Sequence, residues 1–218
     1  CTGATPNLEL PAYLTETTQT DMSPYSPGNL FTHTPDSLPI HLQTGGRPRF
    51  QIRAVLAATL SSVYGIYSGF ELCENAALPG REEYFDSEKY QLKERDWNGP
   101  GNIKPLITQL NRIRCENRAL HFYDNLRFHP VDNEALLFYS KITPARDSIV
   151  LVIVNLDPVN TQTGFVEVPV EAFGELFGNN YEVHDLLTND RYVWYGKRNY
   201  VALHPGIQPA HIFRVRRL

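Results

Sequence analysis

Apolar and polar positions follow two different periods along this chain. From about residue 125 onward the period is two. "LRFHP", "EALLFYSK", "SIVLVIVNL", "TGFVEVPV", "YEVHDLL", "RYVWY", "NYVALHP" and "AHIFRVRRL" are short β-branched or aromatic runs separated by turn residues. Eight such runs predict an antiparallel sandwich or barrel-like module, and "LTND" ahead of "RYVWY" reads as a hairpin turn. Before residue 120 helical segments alternate with short strands. Leu10, Tyr13, Leu14 and Thr17 share a helical face, and "NLFTH" reads as a short buried strand. "RPRFQIRAVLAATL", opened by the turn "TGGRP", has so little polar face that its helix should be buried. "SVYGIYSG" reads as a strand ending at Gly69. "NIKPLITQLNRIRCEN" sets Ile103, Leu106, Ile107, Leu110 and Ile113 on one helical stripe. Between them, residues 70–101 carry the turn signals "LPG" and "NGPG" and many aromatics and charges. A loop that long in a compact domain is functional or disordered, and Tyr84, Tyr90 and Trp97 speak for function.

The pattern is therefore α/β followed by all-β, with residues 1–120 and 121–218 as two units. Two strand–helix units are too few to close an eight-stranded barrel of roughly 250 residues. The first unit is either a small open α/β layer or the tail of a larger barrel.

Charge narrows the partners. A net charge of −4 and a pI of about 6.0 point to neither nucleic acid nor a membrane surface. Arg214, Arg216 and Arg217 read as the exposed face and end of a strand. No apolar run approaches the roughly 20 residues that span a bilayer. Cys1, Cys73 and Cys115 are an odd number without metal-site spacing, and no signal peptide is visible; both predict a reducing, cytoplasmic setting. The opening "CTGATPN" lacks an initiator Met, so the chain also reads as a piece of something longer, which weakens the signal-peptide argument.

Candidate chemistry gathers at "FTHTPDSLP", residues 31–39, where an apolar run stops. Pro35 fixes its own φ and pushes Thr34 towards extended geometry, so Asp36 follows an immobilised strand end. Two readings stand: Asp36 or Ser37 caps the next short helix, or Asp36 is a carboxylate aimed in one direction for catalysis. His33 either lines a pocket mouth or lies on the surface, the plainer reading. "DSEKY", residues 86–90, reads on spacing alone as a solvated charged loop. Glu71, Glu74 and the histidines His129, His184, His204 and His211 read as structural. Trp194 and Tyr192 share a strand face, opposite Tyr195, and form either a sugar platform or core.

Three stretches together resemble one family: "NLFTHTPDSLP", "GGRPRFQIRAVLAATLSSVYGIYSGFELCEN" and "REEYFDSEKYQLKERDW". They are similar to the final third of bacterial maltosyltransferases of the α-amylase superfamily (glycoside hydrolase family 13), and "VNLDP", "YEVHDLLT" and "PAHIF" to that family's C-terminal β-module. The family moves a maltosyl unit from α-maltose 1-phosphate onto the 4-OH of an α-1,4-glucan. The resemblance implies the last strand–helix units of a truncated (β/α)8 TIM barrel followed by a C-terminal antiparallel β-sandwich. It implies Asp36 as the transition-state stabiliser among three catalytic carboxylates, with Pro35 where amylases carry His, and Lys89 and Tyr90 as substrate-binding residues at subsite −2. It implies no metal or organic cofactor, a homodimeric parent, and nucleophile and acid/base carboxylates upstream, so that this chain alone is inactive. The rival readings are a fragment of an α-amylase-type glucan hydrolase and a non-catalytic glucan-binding module on Trp194, Tyr192 and Tyr195.

Overall fold

The computed structural model describes residues 11–16, 28–34, 36–85, 93–174 and 178–218. Residues 11–16 form α1, with Leu14 buried and Tyr13 exposed; Leu10 and Thr17 lie outside the described residues. Strand β1 (Asn29–Phe31) leads through α2 (Ile40–Thr44) and α3 (Gly46–Leu60) to β2 (Val63–Gly65). β1 and β2 pair in parallel, Leu30 opposite Tyr64, so this is a βαβ unit, as parallel pairing requires a long crossover. The "TGGRP" turn separates the two helices: the Gly45 N–H bonds back to the His41 carbonyl, and Gly46 takes φ +60, a left-handed conformation that glycine adopts without penalty.

Two strand readings need correction. β1 is not buried, since Asn29 and Phe31 are exposed. The strand in "SVYGIYSG" ends at Gly65 and not at Gly69. The chain instead turns into a single 3-10 turn, Phe70–Leu72, at Gly69 with φ +102. The buried helix is as expected: α3 buries Phe50, Ile52, Ala54, Val55, Ala57, Ala58 and Leu60. Helix α4 (Lys104–Glu116) buries Leu110 and Ile113, with Leu106 and Ile107 packed alongside.

Each of the eight period-two runs contains one strand, β3 (Leu126–Phe128), β4 (Leu136–Ile142), β5 (Ile149–Asn155), β6 (Gln162–Glu167), β7 (Asn180–Asp185), β8 (Arg191–Tyr195), β9 (Arg198–Leu203) and β10 (Ala210–Arg217). They form a six-stranded antiparallel sheet in the order β3-β4-β5-β10-β7-β8, faced by the pair β6-β9. The "LTND" segment closes the β7–β8 hairpin, with Asn189 at φ 71 and the Asp185 N–H on the Asp190 carbonyl.

β5 explains the architecture. Every residue of "IVLVIVN" is buried because the sheet is covered on both faces. Ile149, Leu151 and Ile153 join the sandwich core with Val166, Val201 and Phe213. Val150, Val152 and Val154 face the other way, into the core shared with α3 and α4.

The contact between halves is also hydrogen-bonded. Thr59 Oγ1 meets Tyr139 Oη at 2.6 Å, and Gln109 Nε2 donates to the Leu186 and Leu187 carbonyls at 2.9 and 2.7 Å. Lys141, fully buried on β4, donates to the Phe122 carbonyl at 2.6 Å. Burial, helped by the Arg114 charge and opposed by Asp124, pushes its ammonium from the usual 10.5 down to about 7. The unfolded chain therefore binds a proton that the folded chain releases between about pH 7 and 10.5, so Lys141 makes stability rise with pH across that window. The slope it can supply is at most about 1.4 kcal/mol per pH unit. Lys141→Met should flatten the rise, as read by urea midpoints between pH 7 and 9; an unchanged slope would remove Lys141 as its source.

Candidate active site at the end of β1

Four residues turn the chain after β1. The Thr32 N–H donates to the Gly65 carbonyl at 3.1 Å, extending the parallel pairing by one residue. The Thr32 carbonyl accepts from Arg53 Nε on α3 at 2.7 Å, which pins the strand end to the helix. Thr34 and Ser37 then exchange backbone bonds of 3.1 and 3.4 Å across a tight turn. Proline suits the second position of such a turn because its ring presets φ, and the sequence has Pro35 there. Asp36 stands third in it and is exposed.

Neither Asp36 nor Ser37 caps the following helix. The N-cap of α2 is Pro39, and the Ile40 N–H donates to Glu82 Oε1 at 2.9 Å. Glu82 satisfies the helix end from forty-two residues away in sequence. Its backbone adds a second tie, the Leu38 N–H on the Glu82 carbonyl at 2.7 Å. Gln43 Nε2 reaches the Arg81 carbonyl at 3.0 Å.

This fastening ties residues 81 and 82 to Leu38 and α2. Residues 76–85 double back on themselves, with the Phe85 N–H on the Ala76 carbonyl and the Leu78 N–H on the Glu83 carbonyl. "DSEKY" follows this segment in sequence. Lys89 and Tyr90 themselves lie outside the described residues.

His33 corrects the surface reading, being only 2% exposed. Its ring is caged by Tyr67, Phe70 and Tyr84 at centroid distances of 5.5, 5.0 and 5.2 Å. Its Nδ1 lies 3.1 Å from Thr32 Oγ1. Burial, aided by the Arg53 charge and opposed by Glu74, lowers its pKa to about 4, so the imidazole is neutral near pH 7. It serves as a rigid aromatic floor under the turn. Sequence reasoning set His33 on the surface and passed over Arg53 and Glu82; the one available signal was a single arginine on an otherwise apolar stretch of α3.

The neighbouring carboxylates are engaged with the protein itself. Glu71 Oε2 accepts from the Gly69 N–H at 3.1 Å. Glu74 accepts from Arg95 Nε at 2.8 Å and Lys93 Nζ at 3.2 Å. A side chain at Gly69 would put Cβ 2.3 Å from Glu74 Oε2, so glycine is required where that carboxylate lies. Both glutamates are thus scaffold.

The other candidates resolve differently. Trp194 is in the core, edge-to-face with Phe213 at 5.0 Å and Tyr181 at 6.5 Å, so it is no sugar platform. His129, His184 and His211 bond to Ser140, Asn189 and Asp185, and the Gly206 N–H donates to His204 Nδ1. A cavity of about 770 Å³ lies between Arg49 and residues 128–138, away from the turn. Part of its polar lining is engaged internally: Asp157 accepts from Val159, Asn160 and Gln162, and Asn133 bonds Ala135, Gln162 and Thr163, while Arg49 Nε is buried without a hydrogen-bond partner among the described residues.

The same architecture occurs in a known class. The α-amylase from Geobacillus thermoleovorans, solved with acarbose, aligns with a TM-score of 0.63 at 15% identity, covering 86% of this chain and 38% of that one. The fold is α-amylase-like.

Sequence carries the assignment further. Residues 128–215 match the family described as "GLGE, C-terminal". The α-1,4-glucan:maltose-1-phosphate maltosyltransferase of Rhodospirillum rubrum is 51% identical over 214 residues, 98% of this chain and 31% of that enzyme. The enzyme of the same name from Myxococcus xanthus is 47% identical over 209 residues, 96% of this chain and 31% of that enzyme. The chain matches the C-terminal part of the maltosyltransferases and spans about a third of the length of these curated relatives.

Proposed function

We propose that this chain is the C-terminal part of a retaining transferase that moves maltosyl from α-maltose 1-phosphate to the 4-OH of an α-1,4-glucan, in glycogen-type glucan synthesis. Asp36 carries the reading. It is presented at the C-terminal end of a parallel strand, the end where barrel chemistry sits, on a turn fastened to α2, α3 and the segment entering "DSEKY". Phe31 and Val63 are exposed on a parallel pair, whereas parallel sheets are normally covered on both faces. That supports β1 and β2 as the last strands of a (β/α)8 barrel whose remainder falls in the part of the relatives this chain does not span. Residues 1–120 would then close that barrel, and residues 121–218 form the sandwich domain.

The mechanism is double displacement. A carboxylate of the unspanned part attacks the anomeric carbon as the C1–O bond to phosphate breaks, giving a covalent maltosyl-enzyme and inorganic phosphate. A glucan 4-OH, deprotonated by the acid/base carboxylate, then takes the maltosyl group and releases the nucleophile. Asp36 grips sugar hydroxyls at subsite −1 and stabilises the positive charge that develops at both steps. Lys89 and Tyr90 hold the distal glucose. The full-length enzyme works in the cytoplasm as a homodimer, and this chain alone turns over nothing.

The discriminating assay is phosphate release by the full-length enzyme. Release from maltose 1-phosphate that depends on added glycogen is the expected result. Reducing sugar released from glycogen without any donor would instead identify a hydrolase.

A further inference from the structure

With Trp194 buried, the exposed aromatic side chains of the described β-module are Tyr192 and Tyr195 on β8 and, on the outer face of the β6–β9 pair, Phe165 and Tyr200. Phe165 and Tyr200 are directly opposite in register and 39% and 56% exposed. Their rings meet at 5.5 Å and 65°, so they form the two walls of an open corner. The corner is held in place. The Arg198 guanidinium lies 4.4 Å from the centre of the Phe165 ring and donates to Asp132 Oδ2 at 3.2 Å. Asp132 Oδ1 in turn accepts from the Phe165 N–H at 2.6 Å. Glu167 pairs with Arg198 in register on the same face.

We propose that this corner is a binding site for a neutral α-1,4-glucan chain, separate from the Asp36 turn. Charge decides the class of ligand. Arg198 is matched by Asp132 and Glu167, so an anion would meet two carboxylates, and an apolar protein surface would have to bury three charged groups. A sugar ring asks for what is present: an aromatic wall for its C–H face, carboxylates that accept from hydroxyls, and a guanidinium that donates to them. Arg198 and Asp132 already hold each other, so binding orders little that is not ordered beforehand.

Position gives the site its role. The six-stranded sheet lies between β6–β9 and helices α3 and α4, so the corner opens on the far side of the sandwich from α3. It can anchor the body of a polymer but cannot reach the reacting end of the same short sugar. This inference takes its ligand from the function proposed above.

The test is retardation of this 218-residue chain in native gels containing glycogen, with dextran, an α-1,6 polymer, as control. Glycogen should retard it and dextran should not. Tyr200→Ala and Phe165→Ala should each weaken retardation at least about tenfold. Arg198→Gln, which keeps both rings, should weaken it less. No retardation by glycogen, equal retardation by dextran, or full retardation of the Phe165→Ala/Tyr200→Ala double variant each overturns the site. Failure of the transferase reading is scored independently, by phosphate release.

Discussion

Arg114→Ala is expected to lower the melting temperature by about 6–12 °C, the shift that about 3 kcal/mol produces in a protein of this size. The reason lies at the end of α3. The last carbonyls of a helix have no partner within it. Arg114, reaching over from α4, donates from Nη1 to the Ala58 and Ser61 carbonyls at 2.5 and 3.1 Å, and from Nη2 to the Ser62 carbonyl at 2.5 Å. Its guanidinium also stacks 5.1 Å from the centre of the Tyr64 ring. Removing it leaves three carbonyls unmatched in a half-buried setting, at about 1 kcal/mol or more each. Lysine cannot replace the fork, so Arg114→Lys should recover only part of the loss. Calorimetry would read both; a shift under about 2 °C would mean that water replaces the guanidinium at little cost. A second consequence ties Arg114 to Lys141. The Arg114 charge helps depress the Lys141 pKa, so the alanine variant should begin its pH-dependent rise in stability at higher pH.

Much of the fold was legible because burial writes itself into periodicity. β6 alternates exposed and buried residues and was visible as a half-buried strand, while β5 reads as an unbroken apolar run because helices cover one face and β6–β9 the other. β1 misled for the opposite reason. Its apolar residues signal burial, yet among the described residues Phe31 is left exposed. β2 was drawn too long because aromatic residues continue past Gly65, and those rings, Tyr67 among them, pack around His33 instead of extending a ladder.

The candidate site was legible only where motif and chemistry coincide. Asp36 was visible, but the device holding its surroundings was not. Glu82 ends α2 across forty-two residues, and Arg53 binds a strand carbonyl, and neither spacing has a local signature. The cap reading of Asp36 failed for the same reason, since a distant carboxylate had taken the position. Trp194 shows the limit of reading faces: its strand face was assigned correctly, but whether that face meets water or Phe213 depends on β10, far along the chain.

The other large effect concerns Asp36 itself. The turn is closed by backbone bonds between Thr34 and Ser37, so an isosteric change at Asp36 should leave the fold intact. What Asp36→Asn removes is negative charge, and on the proposed mechanism charge at that position matters most when the sugar carbon becomes cationic. Loss of one preorganised electrostatic contact at a transition state costs about 10²–10³-fold in kcat, with little change in affinity for the ground-state donor. The decisive measurement is therefore kcat for maltosyl transfer by the full-length enzyme carrying Asp36→Asn, with maltose 1-phosphate saturating and the melting temperature checked alongside. A fall of about 10²–10³-fold at unchanged stability is predicted; transfer at the wild-type rate by a folded Asp36→Asn enzyme would contradict the account.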